Sequence, residues 1–231
     1  MIRKRMHGQG LFSKSTKTPH IPNHPSHHTH ETHTVGRMVM GKMFLGEEMR
    51  PGSRRLNPGG AHEVPYLQFP EMSSHHQLVH AVFTRQGGVS EAPYDTLNTS
   101  YMTGDTPECV SRNLQIIKEA IAANHLVFMN QMHGREILAL HGEKFEAFGE
   151  PADADALITD QPHVALMVKQ ADCQAVLLFD PIKGVVSNVH CGWRGNVHNI
   201  LGSVVGRMKS EFGCRTADLL AAIGPSLGPC C

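Results

Sequence analysis

The stretch ADCQAVLLFDPIKGVVSNVHCGWRG (Ala171–Gly195) decides the predicted fold. It contains two apolar runs rich in β-branched residues, Ala175–Phe179 and Val185–His190, and between them the turn-forming segment Asp180–Gly184. Short apolar runs separated by a turn with Pro and Gly are typical of two antiparallel strands. The stretch therefore predicts a β-hairpin, around which the rest of the chain is organised.

The register of this hairpin decides where a thiol and an imidazole lie. A loop over Pro181–Gly184 places His190 opposite Ala175, and therefore on the same face as Cys173. The two side chains then lie diagonally adjacent at the open end of the hairpin. A slip of one residue would put them on opposite faces, so the pairing requires an even-length loop. The hairpin thus predicts part of a metal site.

The composition is that of a protein with balanced charge. Its 231 residues carry 21 basic and 21 acidic side chains, with a pI near 7.3. This balance gives no support to a nucleic-acid or anionic-membrane partner, and no apolar run approaches the ~20 residues that span a bilayer. The N-terminus lacks the hydrophobic segment of a secretory signal, and the six cysteines form no CxxC pair. We therefore expect a cytoplasmic protein with reduced thiols, whose oligomeric state the sequence leaves open.

Residues 1–70 are predicted to lie outside the core. The segment His20–His33 carries six histidines among Pro, Ser, Thr and Asn, without helical or strand periodicity. Such a composition buries too little apolar surface to offset its ordering entropy, which predicts a disordered, His-rich extension. Weak metal binding and a dispensable tail remain two interpretations of it. The globular domain is predicted over residues 71–231.

Within this domain, strands and helices alternate. Strands are predicted at Leu78–Thr84, Leu126–Met132, Glu136–Leu140, Ala156–Thr159, Val164–Val168 and Leu219–Ile223. A first helix begins with Thr106 as N-cap and ends near Asn124. A second helix follows Gly192–Gly195, with Asn196 as its cap, and ends at Gly213.

Three residues near strand ends could bind a metal. His133 interrupts a strand, Cys173 begins one and His190 ends one. Two imidazoles and one thiolate leave the fourth position of a tetrahedron for water or substrate, which is the pattern of a catalytic zinc. Such a zinc lowers the pKa of bound water toward ~7 and polarises a substrate oxygen. Spacing alone also allows three unrelated structural side chains.

The turn after His190 is a candidate anion site. Cys191–Gly195 precedes a predicted helix, whose first backbone N–H groups are free to bind an anion. Gly192 and Gly195 would let the anion approach the backbone closely, and Arg194 would add a positive charge. The alternative is a plain glycine turn with a surface arginine.

Two further charged residues are candidates. Arg85 lies in a glycine turn and could bind an anion through two hydrogen bonds, or could be a solvated turn residue. Asp172 could act as an acid or base beside Cys173, or could orient a neighbour. Cys191 follows a candidate ligand on a strand and should therefore point away from the metal.

Seven ordered motifs carry a resemblance to a known family. They are HAVFTRQGGVS (His80–Ser90), YDTLN (Tyr94–Asn98), NQMHG (Asn130–Gly134), ADALIT (Ala154–Thr159), QADCQAVLLFD (Gln170–Asp180), VHCGWRG (Val189–Gly195) and IGPSLGPCC (Ile223–Cys231). Together they resemble the YfiH-like, or laccase-domain, family, once called multicopper polyphenol oxidases and now regarded as zinc-dependent purine nucleoside phosphorylases. The match begins near Leu78.

The resemblance implies a single α+β domain of mixed β-sheets flanked by helices. The family domain continues past the position of the final cysteines. The chain also ends in the Gly/Pro-rich segment Gly224–Cys231, directly after a predicted strand. We therefore expect the C-terminal part of the domain to be missing from this sequence.

The resemblance also implies an activity and its residues. Family members split adenosine, inosine, guanosine and methylthioadenosine with phosphate into free base and ribose 1-phosphate, and adenosine deamination is attributed to the family as well. By motif, the zinc ligands are His133, Cys173 and His190, with copper as the other possible metal. We assign Cys173, Arg85 and Asp172 to catalysis. Arg85, Arg194, Gly192 and Gly195 are assigned to phosphate or substrate binding.

Three other functions stay open. A peptidoglycan-precursor editing amide hydrolase could use the same zinc site. A copper polyphenol oxidase would need more imidazoles than the domain offers outside the His-rich segment. An inactive metal-binding fragment is the non-enzymatic alternative. The sequence departs from many relatives at Lys169, Gln170 and Cys191, which leaves the preferred nucleoside open.

Overall fold

The structure, a computed structural model, describes residues 42–44, 50–55, 63–141 and 151–228. Within these ranges it contains eleven strands and four α-helices. The strands are β1 (Lys42–Phe44), β2 (Arg50–Arg55), β3 (Glu63–Gln68), β4 (Val82–Phe83), β5 (His125–Val127), β6 (Ile137–Leu140), β7 (Ala156–Thr159), β8 (Val164–Leu166), β9 (Gln174–Asp180), β10 (Val185–Cys191) and β11 (Leu220–Ile223). The helices are α1 (Pro70–Ser73), α2 (Pro107–Ala120), α3 (Trp193–Val197) and α4 (Ile200–Phe212). The predicted α+β class is confirmed.

A six-stranded mixed sheet carries the site, in the order β1-β11-β9-β10-β7-β6. The pairs β1–β11 and β6–β7 are parallel, and the other neighbours are antiparallel. Two smaller sheets, β2-β3-β4 and β5-β8, lie outside it. None of the helices in the described ranges is long and apolar enough to cross a membrane.

The hairpin β9–β10 is present with the predicted register. Asp180 pairs with Val185, and His190 pairs with Ala175. The loop therefore contains four residues, an even number. Cys173 directly precedes β9, so the thiol and the imidazole of His190 lie at the same open end of the hairpin.

Local hydrogen bonds fix the length of this loop. The Asp180 carboxylate accepts hydrogen bonds from the backbone N–H groups of Ile182 and Lys183, both at 2.9 Å. Gly184 closes the loop with a φ of 70°, which a residue without Cβ adopts at little cost. These bonds hold the register that puts His190 on the correct face.

The two faces of the central sheet differ. On one face, α4 packs against alternate residues of β10, among them Val189 and Cys191, through the buried side chains Ile200, Val204, Val205 and Met208. Each such fully buried aliphatic side chain contributes about 1.5–3 kcal/mol of hydrophobic stabilisation. The opposite face carries His190 and Asn188 and borders a large cavity. The hydrophobic core thus lies on one face of the sheet, and the cavity lies on the opposite face.

The helix after β10 differs from the prediction. Two helices, α3 and α4, replace the single helix predicted from Asn196, and Asn199 caps the second by accepting a hydrogen bond from the Gly202 N–H at 3.1 Å. Asn199 has a φ of 53°, a left-handed conformation that asparagine tolerates and that interrupts a helix. Val197, at the end of α3, is 74% exposed. The predicted end at Gly213 is confirmed.

Described segments before the predicted domain boundary at residue 70 pack with the rest of the fold. Val64 of β3 and Phe69 are fully buried, and Phe69 packs in a core cluster with Phe179 of β9. β1 joins the central sheet by pairing with β11. Partners distant in sequence place these segments in the fold, so their own composition gave little signal. The predicted disordered segment His20–His33 lies outside the described residues.

The remaining predicted elements agree in type and differ in length. β7 has the predicted bounds, whereas β4 and β5 are shorter than predicted. Helix α2 begins as predicted, because the Thr106 hydroxyl accepts a hydrogen bond from the Cys109 N–H at 3.3 Å. It ends at Ala120, before the predicted Asn124.

Candidate metal centre

The three predicted metal ligands converge. His133 lies between β5 and β6, Cys173 precedes β9 and His190 lies near the end of β10. Their candidate ligand atoms all lie within 4.8 Å of one another. The imidazole rings of His133 and His190 meet edge to face, with 4.8 Å between centroids. Among the described residues, this is the one group of three or more His, Cys, Asp or Glu side chains arranged to hold a metal ion.

Asp155 joins two of these ligands and was missed in the sequence. Its Oδ1 accepts hydrogen bonds from His190 Nδ1 at 2.8 Å and from the His133 backbone N–H at 2.9 Å. Its Oδ2 accepts one from the Gly134 N–H at 2.7 Å. Asp155 is fully buried at the start of β7. The available signal was a single carboxylate within the otherwise apolar run Ala154–Ile158, since a buried carboxylate requires partners.

The absence of a side chain at Gly192 makes room for the centre. A Cβ there would lie 3.1 Å from His133 Cδ2, 3.5 Å from His190 Cε1 and 3.6 Å from Cys173 Sγ. All three ligands therefore pack around this glycine. Because Gly192 has no side chain, the space between the three ligands stays open. Two imidazoles and a thiolate are a ligand set that suits a tetrahedral ion such as zinc. The same donors also occur in copper centres.

The predicted anion site after β10 is arranged differently from the expectation. Gly192 is the N-cap of α3, which is only five residues long. Gly195 is buried, and a Cβ there would lie 3.1 Å from the Gly134 carbonyl oxygen. Arg194 is exposed and lies 5.2 Å from the centroid of the Trp193 ring, away from the residues that line the cavity. Both glycines thus have packing roles, and an anion site here stays a prediction.

A cavity of about 1320 Å³ extends from the metal centre across the front of the sheet. His133, Cys173 and His190 all line it, and Arg85 lies on its wall with an exposed side chain. Further polar lining comes from Thr84, Asn98, Thr99, Ser100, Gln131 and Lys169, and apolar lining from Leu126, Leu166, Leu177, Phe179 and Val186. The space therefore combines apolar surface with polar groups beside the candidate metal ligands.

Lys169 is a cation on the cavity wall that the site prediction did not include. Its ammonium lies 5.1 Å from the centroid of the Phe128 ring, and burial lowers the pKa of Lys169 below its ordinary value. No carboxylate in the described part of the chain forms an ion pair with it. Gln131 holds its backbone by two hydrogen bonds, from Lys169 N–H to Oε1 at 2.7 Å and from Nε2 to the Lys169 carbonyl at 2.8 Å.

The other predicted site residues lie further from the ligands or point elsewhere. Asp172 is exposed with a φ of 71° and does not line the cavity, so its acid or base role stays a prediction. Cys191 packs in the core beside α4, as expected of a residue that points away from the metal. Burial raises the pKa of the Cys191 thiol to about 11, so it stays protonated at neutral pH.

The fold and the candidate centre define a mixed α+β protein in which two imidazoles and one thiol are arranged so that they could hold a metal ion. Residues 79–231, more than half of the chain, match the family described as multi-copper polyphenol oxidoreductase laccase. The chain belongs to this family, and the predicted YfiH-like, laccase-domain resemblance is confirmed.

Individual relatives agree with this assignment. A protein named purine nucleoside phosphorylase from Bacteroides thetaiotaomicron is 35% identical over 168 residues, which cover 70% of this chain and 62% of that protein. The crystal structure of YlmD from Geobacillus stearothermophilus superposes with a TM-score of 0.64 at 30% identity, covering 72% of this chain and 64% of that one. The structure of YfiH from Bacillus licheniformis gives a TM-score of 0.64 at 29% identity, covering 76% and 66%. The chain thus spans less than two thirds of the length of the Bacteroides relative.

Proposed function

We propose that this protein is a zinc-dependent purine nucleoside phosphorylase, and that Cys173, His133 and His190 hold the metal. The observation that carries the proposal is the convergence of these three side chains on the wall of a cavity that also holds cationic groups. The name of the Bacteroides relative supports the same activity. When bound, zinc would supply a Lewis acid that polarises a substrate oxygen beside the reacting centre.

The cavity suits a nucleoside. Binding sites for small molecules have volumes of about 300–1,000 Å³ and combine apolar walls with a few polar groups. The larger space of about 1320 Å³ leaves room for a nucleoside and a phosphate together. Half-buried apolar side chains on the cavity wall, such as Leu177 and Val186, could contact the faces of a purine, and the Thr99 hydroxyl could bond to its polar edge.

Two cations could bind the phosphate. Arg85 and Lys169 both line the cavity, and no described carboxylate neutralises Lys169. In phosphorolysis, a phosphate oxygen bonds to the anomeric carbon of the sugar as the bond to the purine nitrogen breaks, and the bonding pair leaves with the base. The proton that phosphate gives up matches the one that the base takes up. Fixed positive charges orient the phosphate and offset its charge during this step.

A nucleoside assay with and without phosphate tests the proposal. Protein loaded with one zinc per chain should release adenine from adenosine only when phosphate is present, with ribose 1-phosphate as the second product. Release of inosine instead would indicate deamination at the same metal. Cleavage of a muropeptide amide without action on nucleosides would assign the amide hydrolase activity. Either of the last two results, in the absence of phosphorolysis, would contradict the proposal.

Metal analysis separates zinc from copper. A His₂Cys set is also used by copper centres, in which bonding to the thiolate sulfur is strong. Coupled multicopper oxidases need more imidazoles than the single three-residue group found among the described residues. We expect the protein to purify with bound zinc and to show turnover when zinc is the only metal supplied. Turnover that requires copper and a phenol would instead establish an oxidase.

A further inference from the structure

We infer that Asp155 is a positioning residue, which selects the tautomer of His190 that can bind a metal and couples that ligand to the loop carrying His133. The inference rests on the proposed metal site and adds to it a residue outside the ligand set. Asp155 touches neither the cavity nor a reacting atom. It would act only through the ligands.

The first argument is the direction of the hydrogen bonds. A carboxylate only accepts, so the bond of 2.8 Å between Asp155 Oδ1 and His190 Nδ1 places the imidazole proton on Nδ1. The lone pair of a neutral imidazole is then on Nε2, the nitrogen that remains available to a metal. Carboxylates that hold a ligating histidine in this way orient the ring and raise its basicity.

The second argument is the sharing of one oxygen. The same Oδ1 accepts the backbone N–H of His133 at 2.9 Å, and Oδ2 accepts that of Gly134 at 2.7 Å. His133 has a φ of 58°, a left-handed conformation that is uncommon for residues with a side chain. The Asp155 carboxylate therefore holds the loop in the form that turns His133 toward His190.

The third argument is charge. Asp155 is fully buried, and among the described residues no lysine or arginine forms an ion pair with its carboxylate. A buried carboxylate without a cation is unfavourable even when it is hydrogen-bonded. A divalent metal held by the Cys173 thiolate beside this carboxylate would bring the local charge to zero. This balance matches Asp155 to a metal that carries two positive charges.

Replacing the carboxylate by an amide of the same shape tests the inference. In wild type, the two carboxylate oxygens share three hydrogen bonds. In Asp155→Asn a single oxygen remains, and the NH₂ group faces an N–H donor in either orientation of the amide. We expect zinc dissociation constants to rise by about 10–100-fold. Asp153→Asn is the matched control, because this nearby carboxylate is exposed and, among the described residues, bonds only to the Asn130 amide at 3.3 Å. It should leave zinc affinity unchanged.

A purely structural role predicts a different result. If Asp155 had only a structural role, Asp155→Asn would have a lower melting temperature than wild type. Its zinc affinity when folded and the absorption spectrum of its cobalt-substituted centre would be unchanged. That outcome would overturn the inference. We expect instead a changed cobalt spectrum in Asp155→Asn and an unchanged one in Asp153→Asn.

The wild-type protein offers a test that needs no variant. Nitrogen NMR of the zinc-loaded protein should show the His190 proton on Nδ1, and a proton on Nε2 would refute the inference. These results can be separated from the proposed function. Tight zinc binding that depends on Asp155, without phosphorolysis, would refute the function alone. Phosphorolysis with equal zinc affinity in wild type and Asp155→Asn would refute the inference alone.

Discussion

Gln131 and Lys169 exchange two hydrogen bonds, in which the side-chain amide of one satisfies both backbone groups of the other. Gln131 lies two residues before His133, and Lys169 lies four residues before Cys173. The amide therefore ties together the two segments that lead to these ligands. It also fixes the backbone from which the Lys169 ammonium reaches the cavity wall.

Removal of this amide should destabilise the two segments that lead to His133 and Cys173. Gln131→Ala leaves the N–H and the carbonyl of Lys169 without their partner, and each lost hydrogen bond lowers the free energy of unfolding by about 0.5–1.5 kcal/mol. Denaturant unfolding measures this loss. Gln115→Ala is the control, since within the described part of the chain this exposed side chain on α2 bonds only to Glu119, at 2.8 Å. Equal stability of the two variants would contradict the role of Gln131.

Lys169→Met should weaken phosphate binding selectively. The substitution keeps most of the apolar stem and removes the ammonium group, and with it a charge that no described carboxylate balances and that lies 5.1 Å from the centroid of the Phe128 ring. Loss of a charged contact to phosphate corresponds to about a tenfold rise in the KM for phosphate, or ~1.4 kcal/mol, with the KM for the nucleoside unchanged. Lys209→Met, at an exposed position of α4, should leave both values unchanged. A rise in the nucleoside KM alone would show that Lys169 contacts another part of the substrate.

The same lysine gives a pH dependence. Because burial lowers the pKa of Lys169, its charge is lost at a lower pH than that of an exposed lysine. The KM for phosphate should therefore rise as the pH increases through this lowered value. Steady-state kinetics across the alkaline range measure the effect. The rise should be absent from Lys169→Met, and its persistence there would assign it to another group.

Cys173→Ala should abolish both zinc binding and turnover. It removes the one thiolate of the centre, and two imidazoles alone hold zinc far more weakly. Elemental analysis and the phosphorolysis assay measure the two effects. Cys109→Ala, at a half-buried thiol on α2, is the control and should retain both. Retained activity in Cys173→Ala would exclude the site.

Gly192→Ala should weaken metal binding with little effect on folding. The added Cβ would lie 3.1 Å from His133 Cδ2, closer than most contacts of this kind, so the imidazole must move. A displaced ligand of this sort lowers zinc affinity by about tenfold or more. In the control Gly206→Ala, the new Cβ meets no atom within 4 Å. There we expect unchanged zinc affinity and a gain of about 0.5–1 kcal/mol in stability from helix propensity.

Because of His80, the free energy of unfolding should depend on pH in the acidic range. Burial lowers the pKa of His80 to about 4, whereas an unfolded histidine titrates near ~6.5. Between these values the unfolded state takes up a proton that the native state does not, so the free energy of unfolding falls as the pH decreases. His80→Gln removes this titration and retains an acceptor for the Phe69 N–H, which bonds to His80 Nε2 at 2.9 Å.

Urea unfolding of zinc-free protein at several pH values in this range measures the difference. The contributions of the other histidines are common to both proteins and cancel in the comparison. His80→Gln should show the shallower loss of stability with acid. Parallel curves for the two proteins would contradict the buried, neutral state of His80.

Local chemistry explains which features could be predicted. The register of β9–β10 followed from the turn at Asp180 and from alternation along both strands, because short-range rules govern a tight hairpin. Strand β2, which includes Pro51 and Gly52, could not be predicted. It is a strand because β3 pairs with it, a contact that composition does not reveal.

The candidate site shows the same division. The residue types of His133, Cys173 and His190 and their positions near strand ends indicated a possible metal site, and the family resemblance implied the same three residues. Asp155 could not be predicted, because it directly precedes the apolar strand β7 and its role depends on a loop more than twenty residues away. Asn199 was missed as a helix boundary because its left-handed backbone depends on local geometry that spacing does not encode.

The scattered origin of the three ligands has a consequence for assembly. His133, Cys173 and His190 come from segments that meet only once β7, β9 and β10 have paired. In a partly folded chain, the thiol and the two imidazoles would be separate, weak binders. Tight uptake of the proposed metal should therefore follow the pairing of these strands, and by mass action it should favour the completed sheet over earlier intermediates. The metal content of a preparation would then report the fraction of molecules whose central sheet is finished.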